Sequence, residues 1–187
     1  LEVLDKYFID KAMLIYQMRN KYINKINEFI INIFHDIMNI DNLKIQYKSF
    51  YNILLEQENP KEYFKNFLKE NYEKEKNIGL TSEGPHKDDF VFLTNQINLK
   101  EYGSQGQQRA GVISLKFAEA EIIKKYKKTL PVLLLDDVFS ELDGIRKNNL
   151  LKYLSSGSQV ILTTTDINKI SKKLIDNANI IKIEQYK

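Results

Sequence analysis

The chain has no cysteine among its 187 residues, which removes disulfides, cysteine-ligated zinc and thiol catalysis from consideration. A cysteine-free chain suits a reducing compartment, and a cytoplasmic location is the expectation. Arginine is scarce: Arg19, Arg109 and Arg146 are the only ones among 28 basic side chains, so every other basic site is a lysine point charge. Long apolar runs are also missing. The apolar stretch at residues 132–135 is four residues long, whereas a membrane-crossing helix needs about 20. No signal-peptide pattern opens the chain, which starts at Leu1, and a portion of something longer is expected. Neither sign of charge dominates. The first 80 residues hold 12 basic and 12 acidic side chains, and the remainder holds 16 and 13, giving a net +3. That is too mild to announce nucleic-acid binding by itself. With 43% hydrophobic and 28% charged residues, the composition is that of a folded chain rather than a disordered one.

Helix breakers are unevenly spread. No proline precedes Pro60, no glycine precedes Gly79, and all seven glycines lie between Gly79 and Gly157. Residues 3–38 therefore read as one helix, about 54 Å long at about 1.5 Å per residue. Its apolar stripe runs through Leu4, Phe8, Ala12, Ile15, Met18, Tyr22, Ile26, Phe29, Ile33 and Ile37, and Ile9, Met13, Tyr16, Ile30 and Phe34 widen it. Leu43, Ile45 and Tyr47 alternate with polar neighbours as in a half-exposed strand, and a second helix is predicted after Pro60. From Gly79 the texture becomes α/β. A hairpin of strands over 90–93 and 97–99 is predicted around residues 94–96, with a helix over 107–126, a strand over 132–136 and a helix over 144–154. A strand over 159–164, a short helix near 167–174 and a strand over 180–183 follow. Such alternation favours a parallel or mixed sheet flanked by helices, with site residues at the carboxyl ends of the strands.

The chemistry concentrates in two places. Leu133, Leu134 and Leu135 run into Asp136 and Asp137, the pattern of a buried strand ending in paired carboxylates. One carboxylate is suited to hold magnesium and the other to orient or deprotonate water; a solvated Asp-Asp turn is the plain alternative. Upstream, Gly103, Ser104, Gln105, Gly106, Gln107, Gln108 and Arg109 form a glycine-punctuated loop opening a long helix. Backbone N–H groups, the helix dipole and the Ser104 hydroxyl make such a loop suited to an anion. It is not a P-loop, because Val112-Ile113 stands where Lys-Ser/Thr would follow. Ser140-Glu141-Leu142-Asp143 follows the paired carboxylates, and Gly84-Pro85-His86-Lys87-Asp88-Asp89 precedes the loop.

In this order the motifs resemble the second half of an ABC-type ATPase head, with signature loop, Walker B strand, D-loop and switch segment. Within that superfamily the wording is closest to the RecF family of bacterial recombination-repair ATPases. The resemblance implies an α/β fold: residues 80–187 as the C-terminal lobe of the head, and residues 1–79 as a mostly helical arm. It further implies an ATP- and Mg2+-dependent homodimer that clamps DNA at gaps or junctions and assists RecR and RecO in placing RecA. By the same resemblance Asp136 holds the magnesium, and Asp137 is the general base where most ABC heads carry glutamate. Ser104, Gln105, Gly106 and Gln107 would meet the nucleotide of the partner subunit, with Ser140 and Asp143 at the dimer seam. Thr165 aligns best with the switch histidine; a hydroxyl there implies a weak ATPase. Arg109 is either a loop anchor or a phosphate contact. His86 and Lys87 are expected to be structural or close to DNA, with a metal-dependent nuclease around His86, Asp88 and Asp89 as a lesser alternative. The Walker A loop is not in the sequence, so this chain alone is expected to be inactive. The head of another ABC or SMC-like protein is the other reading.

Overall fold

A computed structural model describes residues 2–138, 142–154, 157–170 and 172–183. The element order is α1 (Glu2–Met38), β1 (Leu43–Lys48), α2 (Tyr51–Leu54), α3 (Pro60–Ile78), β2 (Asp89–Thr94), β3 (Ile97–Asn98), α4 (Leu99–Tyr102), α5 (Gln105–Lys127), β4 (Leu133–Asp136), α6 (Gly144–Leu154), β5 (Val160–Thr163) and α7 (Lys172–Ile175).

Without a breaker, α1 runs 37 residues and serves two cores. Its first half buries Ile9, Met13 and Tyr16 against Tyr51, Phe64 and Leu68 of α2 and α3. Its second half buries Ile26, Ile30 and Phe34 against Leu43 and Ile45 of β1, Phe117 and Ile122 of α5, and Leu150 of α6. The expected surface is buried only in part: Ile9, Met13 and Tyr16 on the widened side of the stripe are buried, whereas Leu4, Met18 and Tyr22 are exposed. α3 packs on the flank that carries Ile9, Met13 and Tyr16, so its position rather than the apolar count selects the buried face. α3 itself starts where Asn59 accepts a hydrogen bond from Glu62 N at 3.3 Å with Pro60 in the first turn, a standard start signal.

β1 pairs antiparallel with β2, which pairs with β3 around Asn95-Gln96. Both turn residues have positive φ, 50° and 67°, as a two-residue hairpin of right-handed twist demands. The outer edge of β1 is closed by Asn27 of α1. Its side chain donates to Ile45 O and accepts from Ile45 N, both at 2.8 Å. β4 and β5 form a separate parallel pair, with Asp136 opposite Thr163. β1 precedes residue 79 and β2 follows it, so the two expected units share a sheet as well as the second core.

Further details differ from the sequence reading. Leu99 is not strand but starts α4, because the side chain of Asn98 caps Lys100 N at 3.0 Å. Near residues 167–174 one helix is replaced by a 3-10 turn (Ile167–Lys169) and the short α7. Residues 180–183 are not in a strand: Ile181 and Ile183 are 85% and 93% exposed. β-branched residues favour a strand only when a neighbouring strand supplies the ladder and the packing face.

The Gly84–Asp89 motif ties arm to lobe. Asp88, with a side chain only 5% exposed, accepts from Arg19 of α1 and from the Tyr47 hydroxyl of β1, and Arg19 also donates to Pro85 O. Burial and the Asp88 carboxylate push the Tyr47 hydroxyl from its ordinary 10.0 up to about 12. Burial also raises Tyr16 and Tyr153, the latter donating to Asp36 at 2.6 Å. The folded state thus resists tyrosine ionisation. This contribution to stability is complete below pH 10.0 and declines as pH climbs through about 12. Tyr47→Phe is expected to make that alkaline loss shallower, read as urea midpoints at stepped pH; an unchanged slope would contradict the Asp88–Tyr47 coupling.

Candidate nucleotide and dimer-seam site

The signature-like loop is held before any ligand is considered. Ser104 is the N-cap of α5: its Oγ accepts from Gln107 N at 3.3 Å, while Gln107 Oε1 accepts from Ser104 N at 2.8 Å. This reciprocal capping box uses acceptors only. The Ser104 hydroxyl hydrogen and the Gln107 amide hydrogens remain available as donors at the positive end of a 23-residue helix. Gln108 Nε2 donates to Lys100 O at 3.1 Å and Gly103 O at 3.0 Å, stitching α4 to the loop. Gly103 leaves no room for a side chain, since a Cβ there would lie 2.5 Å from Leu99 O. The helix starts at Gln105 rather than at 107, because the capping box recruits the residues that composition alone assigns to loop.

The paired carboxylates lie at the carboxyl end of the parallel pair, where such sheets place their sites. Thr163 joins them. Its hydroxyl donates to Asp136 Oδ1 and accepts from Asp137 N at 3.1 Å. Asp136 is exposed and closes the strand. Asp137 leaves it with φ 46°, so its direction is set by a left-handed turn rather than by strand alternation. Thr165 lies two residues beyond Thr163 in a bend and is exposed.

Downstream, Asp143 caps α6: its Oδ1 accepts from Arg146 N at 2.9 Å, and its Oδ2 pairs with Arg146 Nη1 at 3.1 Å. Leu142 beside it is buried in the core, which fixes the turn. The same guanidinium faces the signature loop, because a Cβ on Gly106 would lie 3.2 Å from Arg146 Nη1. Ser140 lies outside the described residues. Gln105 and Arg109 are exposed on the first turns of α5. His86 and Lys87 are exposed on a 3-10 turn, with His86 Nε2 3.1 Å from Thr81 O. The His86 and Asp88 side chains are thus committed to different neighbours. Among the described residues no group of three His, Asp or Glu is arranged to hold a metal, and no helix is long and apolar enough to cross a membrane.

Thr163 opens the switch-like segment 163–166, within which the sequence reading favours Thr165, and Arg146 has no mark in its sequence context. The parallel register would have exposed Thr163, since the four residues Leu133–Asp136 pair in step with Val160–Thr163. No local pattern marks Arg146; its contact with Gly106 is tertiary.

A parallel strand pair ending in carboxylates, a capped glycine loop opening a long helix and a capped turn between them define the class: the C-terminal lobe of an ABC-type ATPase head with a helical arm. No protein-family model matches the chain. Curated proteins do. The DNA replication and repair protein RecF of Clostridium botulinum is 39% identical over 184 residues, covering 98% of this chain and 50% of that protein. RecF of Clostridium kluyveri is 37% identical over 188 residues (100% and 50%), and that of Listeria monocytogenes is 34% identical over 189 residues (99% and 50%). A solved structure of the recombination mediator protein RecF-ATPrS in the RecFOR pathway matches with TM-score 0.75 and 32% identity over 91% of this chain and 46% of that one. The corresponding RecF-ATP structure matches with TM-score 0.72 and 32% identity, over 90% and 45%. The chain is similar to RecF along its whole length. It spans about half the length of the curated relatives it matches.

Replacing Ser104 with alanine removes one half of the capping box and is expected to cost about 1 kcal/mol of stability. Ser104→Thr should retain most of it. Urea unfolding of the two variants checks the assignment.

Proposed function

We infer that this chain is the signature-loop and Walker B portion of an ATP-dependent DNA-repair ATPase. The whole protein would bind ATP, dimerise around two nucleotides and clamp DNA at gaps or junctions. With RecR and RecO it would assist the loading of RecA, and it would act in the cytoplasm. The observation that carries the reading is the Asp136–Thr163–Asp137 cluster at the mouth of the parallel pair. The RecF relatives supply its biological setting.

Magnesium fits the residues present. Asp136 offers an exposed carboxylate oriented by the Thr163 hydroxyl. A single carboxylate, with waters and nucleotide phosphates completing the shell, is how this ion is commonly held. When bound, it would neutralise phosphate charge. Asp137 would orient the attacking water and accept its proton, the backbone turn placing its short side chain near the strand mouth. Ser104 and Gln107 would donate to the phosphate of the nucleotide held by the partner subunit, with Gln105 and Gly106 shaping the approach. Asp143 and Ser140 would line the seam. Thr165 would stand at the switch position; it can donate a hydrogen bond but carries no imidazolium charge, so turnover would be slow. The lysine that grips the β and γ phosphates would come from the other half of a RecF-length chain.

In the full-length protein, Asp137→Asn is expected to keep nucleotide binding. It should slow turnover by about 10²–10⁴-fold, the usual contribution of a general base, and prolong the ATP-bound dimer. Nucleotide titration, phosphate release and sedimentation measure the three quantities. Loss of ATP binding itself would falsify the base assignment.

A further inference from the structure

The three arginines of the chain have different employments. Arg19 holds Asp88 inside the arm junction, and Arg109 lies on the exposed side of α5. Arg146 spans two elements expected to meet a partner subunit. One contact is the ion pair to Asp143 at 3.1 Å. The other is its approach to Gly106, so close that a methyl group there would sit 3.2 Å from Nη1. The φ of Gly106 is not in the left-handed region, so backbone conformation does not call for a glycine there, and a side chain would make the guanidinium shift by a few tenths of an ångström.

We propose that Arg146 is a positioning residue that couples the D-loop turn to the signature loop within one subunit, so that the two seam elements move as one body. The anchors support this. Leu142 and Leu150 fix both sides of the turn in the core, while Ser104 and Gln107 fix the loop on α5. Between these two anchored elements Arg146, with a side chain about one-third exposed, reaches from one to the other. Its planar fork can satisfy a carboxylate while lying flat over a glycine, which a lysine ammonium does not reproduce. A phosphate drawn to the Ser104 end of α5 would then be registered at Asp143 through this guanidinium, and a displacement of Asp143 at the seam would be returned to the loop. The coupling itself is a property of the fold; its role at the seam rests on the function proposed above.

The test uses the full-length protein and two readouts. In the nucleotide-free protein, hydrogen exchange of backbone amides at residues 104–108 should quicken by roughly two- to five-fold in both Arg146→Ala and Asp143→Ala, the range a partly exposed ion pair supplies. The double variant should show no further increase, and Arg146→Lys should recover only part of the protection. In the presence of ATP, Arg146→Ala should retain nucleotide binding while losing ATP-dependent dimer. Exchange at residues 104–108 unchanged by Arg146→Ala, or additive in the double variant, overturns the coupling. The expected exchange changes in the variants, together with a wild-type protein that forms no ATP-dependent dimer, would leave the coupling standing and overturn the proposed function instead.

Discussion

One uninterrupted helix has to belong to two cores at once, and the rest of the molecule is arranged around that demand. The first half of α1 packs on aromatic residues of the arm, and its second half packs on α5 and β1. Because α5 begins at the capped loop and the same core buries Leu135 of β4, the position of the signature-like loop is inherited from α1 through α5. The Asp88 junction, with Arg19 and Tyr47 on either side, holds the strand β2 to the same helix. Arm and head are therefore mechanically continuous. A shift of the arm cannot leave the origin of α5 untouched, since close packing transmits displacement.

The local logic of the site is a separation of acceptors from donors. The capping box satisfies the loop with acceptor atoms, leaving hydrogens turned toward whatever approaches the helix start. The strand mouth does the opposite. Its two carboxylates are acceptors, and Thr163 spends its only hydrogen on Asp136. A phosphate suits the first arrangement and a hydrated cation with a water suits the second. Around β4, Leu134 and Ile161 are 72% and 51% exposed, and Val112 and Val132 are exposed alongside them. An apolar face of this kind on a two-stranded parallel pair accords with a chain that covers about half of its relatives.

Much of this was legible because it is written locally. The long breaker-free stretch, the alternation at β1 and the polar ending of a leucine run each depend on neighbours in sequence, and each emerged close to its expected place. What was hidden depends on distant partners. The buried face of α1 follows from where α3 lies, and α2 and α4 are single turns whose existence rests on tertiary packing of Leu54 and Leu99. Thr163 gains its role only when β5 pairs with β4 in register, and Arg146 only when α6 meets α5. Residues 180–183 carry β-branched side chains and yet no ladder, because propensity cannot provide a neighbouring strand.

The left-handed backbone at Asp137 bears on a substitution noted at the outset. With φ at 46°, this residue occupies a region that short polar side chains tolerate by bonding to nearby backbone, and that longer ones occupy less readily. A glutamate would bring the more common carboxylate at greater cost to the turn. The hand of one peptide unit thus narrows the alphabet at position 137 before any chemistry selects from it. Drift toward asparagine, which keeps the shape and gives up the carboxylate, is the step this geometry resists least.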